Sequence, residues 1–149
     1  MHNIQGDIMT NKELLSSLLK AARSGQIEIR SILDTTMEPS LRAVLVSQLQ
    51  EYDAIETEAL TIALQRGWEM PDLYPGVRFL KDRAARFRVK NRSTDSTIAD
   101  IMILHNTKSM IDGIKKLHQL HEKDSPIQIL SQKLLDCENA NIRRLQMYL

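Results

Sequence analysis

Apolar residues recur at steps of three and four along most of the chain, the spacing of one helix face. The first such stripe is Leu15, Leu19, Ala22, Gln26, Ile29 and Leu33. Thr10 and Glu13 precede it at the spacing of a capping box, in which the Thr side chain caps the first turn and the Glu reaches back. The pattern therefore predicts a helix from Thr10, with residues 1–9 as a flexible lead-in. A turn over residues 34–38 delivers Pro39, which suits the first helical position because its missing N–H would be unpaired there anyway. The second stripe is Leu41, Leu45, Gln48, Tyr52, Ile55, Ala59 and Ile62, running to about Arg66 with Gly67 as a left-handed stop. From residue 67 to 92 the rhythm breaks. Pro71 and Pro75 bracket an irregular stretch, and Val77, Leu80, Ala84 and Phe87 mark a short amphipathic helix within a crossover. A third long helix, with N-cap candidates over residues 93–96, carries the stripe Ile103, Asn106, Thr107, Met110, Ile114, Leu117 and Leu120. After a turn at residues 124–126, where Ser125 and Gln128 form another capping-box spacing, the last stripe is Ile127, Leu130, Leu134, Glu138, Asn141, Leu145 and Tyr148.

Each stripe is interrupted by polar residues, and their levels can be compared. Gln26 and Gln48 lie 11 residues either side of position 37, and Thr107 and Asn141 lie 17 either side of position 124. At about 1.5 Å per residue the first pair sits roughly 16 Å from its turn and the second roughly 25 Å from its own. If the crossover spans helices roughly 40 Å long, the two turns lie at opposite ends and both pairs fall at one height. The expectation is an all-α antiparallel four-helix bundle, one domain over residues 10–149, with a polar layer of Gln26, Gln48, Asn106, Thr107, Glu138 and Asn141. Composition agrees: Leu, Ile, Met and Ala dominate the apolar 42%, aromatics are 4%, and 149 residues suffice for one full core.

This layout of helix pair, long crossover and helix pair, with polar residues at mid-height, resembles the ferritin-like superfamily, in particular small bacterial ferritin-like bundles of uncharacterised function. The resemblance implies that fold and raises a di-metal centre, for which two helices each give a Glu and two each give a Glu with a His three residues later. The chain departs from that pattern. Helix one offers Gln26, with Glu28 turned off its stripe; helix two offers Glu51 beside Gln48 but Ala54 where His is needed; His105 has no carboxylate three residues before it; Glu138 is followed by Asn141. An incomplete set built on Glu51, His105 and Glu138 is the metal-binding alternative, for iron or another divalent ion, and would make the protein an oxidoreductase. Otherwise the six polar residues are a hydrogen-bonded layer that fixes helix register.

Charge and the remaining motifs change little. Net charge is +1, and the one basic concentration is Arg78, Lys81, Arg83, Arg86, Arg88, Lys90 and Arg92. It lacks exposed aromatics for base stacking and has an acidic complement in Glu51, Asp53, Glu56 and Glu58, so nucleic acid is not the expected partner. His118, His121 and Glu122 suit a helix C-terminus better than a dedicated metal site. Cys137, the single cysteine, excludes an internal disulfide and reads as a structural thiol. Trp68, Met70 and Tyr74 are placed to cover one bundle end. With neither an export signal nor a membrane span in view, the expected setting is cytoplasmic. The sequence thus predicts a non-enzymatic protein without cofactor, acting through protein association as a homo-oligomer such as a dimer. A bacterial surface or spore-layer structural protein is a further alternative.

Overall fold

The computed structural model describes residues 8–70, 94–122 and 124–149, and these are all-helical. Thr10 opens the first helix, α1 (Asn11–Leu33), as its spacing predicts: Glu13 N donates to Thr10 Oγ1 at 3.1 Å, and Glu13 Oε1 accepts from Thr10 N at 3.4 Å. The residue just before is not loose, because Met9 N donates to the Gln119 carbonyl at 3.0 Å. At the other end of α1, the Arg42 guanidinium donates to the carbonyls of Leu33 and Thr35 at 2.8 and 2.9 Å, satisfying groups that a helix end leaves open.

Helix α2 (Pro39–Arg66) starts on Pro39 and stops at Gly67, whose φ of +67° is the left-handed conformation that glycine adopts without strain. Beyond it Trp68 and Met70 are half-buried against the core, and the Arg66 guanidinium lies 5.5 Å from the Trp68 ring centre. The next helices are α3 (Thr94–Gln119) and α4 (Ser125–Leu145), followed by a 3-10 turn, Gln146–Tyr148. Asp124, rather than Ser125, occupies the N-cap of α4, so the expected Ser125–Gln128 box does not form. The Asp124 carboxylate is instead held by the two terminal guanidinium nitrogens of Arg66, Nη1 and Nη2.

Cross-helix contacts fix which ends meet. Arg66, closing α2, meets Asp124 at the start of α4, while Tyr148 beyond the end of α4 donates to Ser40 Oγ at 2.9 Å at the start of α2. Lys133 and Glu58 pair at 3.3 Å between them. Glu38 N donates to Asp95 Oδ1 at 3.1 Å, placing the start of α2 beside the start of α3, and Lys116 near the end of α3 donates to Ser17 Oγ at 2.7 Å near the start of α1.

The apolar stripes predicted for α2 and α4 are buried along Leu41–Ile62 and Ile127–Leu145, and α1 buries its own through Ile29. Helix α3 differs. Its inward face is Ile98, Ala99, Met102 and Asn106, with half-buried Ser109 and Gly113 further on. Thr107 and Ile114, expected inside, face solvent. The level was right and the rotation wrong: a Cβ on Gly113 would lie 3.2 Å from Leu135 Cδ2, and these residues are equally far from position 124. The predicted crossover helix, Tyr74 and the basic concentration at residues 78–92 lie outside the described residues.

Candidate functional site

Gln48 and Tyr52 are one turn apart on α2 and project together toward Asn106 on α3 and Glu138 on α4. All four are buried, Asn106 and Glu138 completely. Gly25 on α1 makes the arrangement possible. A Cβ there would stand 2.3–2.7 Å from the Tyr52 ring, so only glycine lets the ring lie flat against α1 with its hydroxyl in the centre. Tyr52 had the signature of an apolar stripe residue; its functional part is the hydroxyl, which when buried needs a partner.

The cluster can be read by counting protons. Tyr52 Oη lies 2.9 Å from Asn106 Oδ1 and 3.0 Å from Glu138 Oε2, but has one proton to give. Gln48 Nε2 donates to Asn106 Oδ1 at 2.7 Å and is 3.2 Å from Tyr52 Oη. With Glu138 protonated, the acid donates to Tyr52, Tyr52 donates to Asn106, and Gln48 supplies both neighbours. Every short contact then has a donor. With Glu138 ionised, Tyr52 must turn its proton to the carboxylate, and its contact with Asn106 becomes acceptor against acceptor. Turning Asn106 alone would set its Nδ2 against Gln48 Nε2, and turning both amides would set Gln48 Oε1 against Tyr52 Oη at 3.2 Å with no proton between them. The arrangement is that of the neutral acid.

Burial pushes the Glu138 acid up to about 7, against smaller opposing pulls from the Ser109 and Tyr52 hydroxyls. The Ser109 contact falls short of a full hydrogen bond, and Glu138 Oε1 is buried without a partner, as are Gln48 Oε1, Asn106 Nδ2 and Ser131 Oγ. Burial, followed by the neighbouring Glu138 charge, holds the Tyr52 phenol well above its ordinary range. Ser109 and Ser131 line a cavity of about 20 Å³ between α1, α3 and α4, room for one water molecule and no organic substrate.

The single polar layer expected from the sequence divides into three groups. Gln26 is buried but does not meet Gln48; it donates to Glu56 Oε1 at 3.2 Å, whose other oxygen takes Arg23 Nε at 2.6 Å. Tyr52, not Gln48, stands opposite Gly25, so the α1–α2 register is shifted by nearly one turn from the symmetric estimate. Asn141, also buried, donates to Glu51 Oε1 at 3.2 Å and to the Cys137 carbonyl at 2.8 Å, and accepts from Arg144 at 3.2 Å. Thr107 belongs to none of them. Glu28, expected off the stripe, is 2% exposed. Burial, then the Glu51 carboxylate, pushes the Cys137 thiol up to about 12, which leaves no thiolate nucleophile near neutrality.

Glu51, His105 and Glu138 are not brought together as ligands: among the described residues no group of three His, Cys, Asp or Glu side chains could hold a metal ion. The donors present do not fit a di-metal centre. One buried carboxylate already committed to Tyr52, surrounded by neutral amides, cannot balance the charge of two metal ions. No helix among the described residues is long and apolar enough to cross a membrane. No known protein family, curated protein or solved structure matches the chain.

Proposed function

We propose that this protein is a ferritin-like antiparallel four-helix bundle without a di-metal centre, cytoplasmic and non-enzymatic, whose work is done by protein association at its outer surface. The end-to-start contacts support the connectivity: α2 ends beside the α3–α4 turn and α3 begins beside the α1–α2 turn, as a crossover running the length of the bundle requires. A lone half-buried cysteine suits a reducing compartment. The observation that carries the functional reading is the mutual hydrogen bonding of Gln48, Tyr52, Asn106 and Glu138. Where a metal-binding bundle sets carboxylates around ions, this core sets two amides and a phenol around one acid, and the hydrogen bonds these four side chains make are to one another. Such a plug fixes register and leaves recognition to the exterior.

Anaerobic titration with Fe(II), followed by admission of oxygen, tests this. The expected result is no stoichiometric binding heat and no ferric absorbance above buffer. One or two tightly bound ions per chain would overturn the reading.

A further inference from the structure

Helix α3 has a second apolar face, opposite its core face. Leu104, Ile111 and Ile114 are 59%, 51% and 40% exposed, and Asp100, Thr107 and His118, which continue the same face, are exposed too. The steps from Asp100 through Leu104, Thr107, Ile111 and Ile114 to His118 are four, three, four, three and four residues, the seam of a two-helix coiled coil. Ile103 and Met110 flank it half-buried. On the outward face of α2 the apolar positions do not run through the middle: exposed Val46 is separated from exposed Leu60 and Leu64 at the far end by exposed Gln50, Asp53 and Thr57.

The charges on the seam select a partner. Asp100 lies at the N-terminal end, Lys115 and His118 at the C-terminal end, and all three are exposed. Two such helices side by side in the same direction would bring like charges together. In opposite directions, about a two-fold axis near Thr107 and Lys108, Leu104 of one copy meets Ile111 and Ile114 of the other, and Asp100 reaches Lys115 and His118 twice over. A face that complements itself under a two-fold rotation is what an isologous dimer needs.

We infer that the outward seam of α3 is a homodimer interface, two copies of α3 packing antiparallel through Leu104, Thr107, Ile111 and Ile114 with Asp100 set against Lys115 and His118 of the second copy. This rests on the association reading above and names its partner. A single helix pair makes a small interface, so the dimer is a reversible one.

Sedimentation velocity of the full chain across a concentration series tests it. The wild type should pass from the 17.1 kDa monomer to twice that mass. Asp100→Lys alone and Lys115→Asp alone should each weaken association by about tenfold, because each change acts twice in a two-fold interface. The double variant Asp100→Lys/Lys115→Asp should return most of it. Ile111→Ser should weaken the dimer while leaving the far-UV circular dichroism unchanged. A wild type monomeric at every concentration, as when another segment or protein covers the seam, overturns the inference. So does a dimer indifferent to these changes, or one that the double variant fails to restore. None of these outcomes bears on the iron titration, so the metal-free reading and the dimer stand or fall separately.

Discussion

Helices α2 and α3 each lend an amide to the same buried cluster, yet one was easy to orient from its residues and the other was not. On α2 a single apolar stripe runs from Leu41 to Ile62, and that stripe is the core face. On α3 two stripes compete. The inward one passes through Met102, Asn106, Ser109 and Gly113 and grows less apolar along the helix, while the outward one carries Leu104, Ile111 and Ile114. Periodicity reports that a face is apolar enough to be covered; it does not say whether the helix's own bundle or another molecule covers it.

Substitutions on the two faces of α3 separate these roles. Met102→Ala empties a fully buried position and should cost about 3 kcal/mol in urea unfolding. Ile111→Ala, measured under monomeric conditions, should cost less than about 0.5 kcal/mol. Equal losses would show that both faces are core.

The α2 side of the comparison rests on Tyr52 lying against Gly25. Gly25→Ala drives a methyl group into the ring and should destabilise by about 2–3 kcal/mol, lowering Tm by several degrees. A neutral outcome would mean that Tyr52 is not held where its hydroxyl can bridge the two helices.

Glu138→Gln probes what the bridge is made of. An acid whose folded pKa of about 7 exceeds its ordinary 4.5 holds its proton more tightly in the folded state. Its contribution to stability is therefore complete below pH 4.5 and is lost as pH rises through 7. The wild type should lose roughly 3 kcal/mol over that window relative to Glu138→Gln, which carries no titrating group there. A variant with the same pH slope as the wild type would contradict this. At the exposed stop of α2, Gly67→Ala should cost about 1 kcal/mol through backbone strain alone, since no atom lies within 4 Å of the added Cβ.

The four long helices, the ends of the first two and three of the four core faces were legible because local rules decide them: the Thr10–Glu13 box, Pro39 at a first turn, Gly67 at a stop. Gln26, Gln48, Asn106, Glu138 and Asn141 were legible as buried polar residues, but Thr107 was not one, buried Glu28, Thr35 and Ser131 went unseen, and the five do not form one site. Their grouping depends on register, and the α1–α2 register is set by the fit of Tyr52 over Gly25, a contact between positions 27 apart with no periodic signal. The role of Tyr52 was hidden because an aromatic ring on a stripe looks the same whether or not its hydroxyl is engaged.

The central claim, that the core holds one acid whose proton is kept by burial within a hydrogen-bonded cluster, is tested most directly by following the ¹³C carboxyl resonance of Glu138 against pH in the folded protein. A midpoint of about 7 is expected, with the side-chain amide resonances of Gln48 and Asn106 shifting at the same pH. A midpoint at the ordinary 4.5, with the amides unmoved, would contradict it.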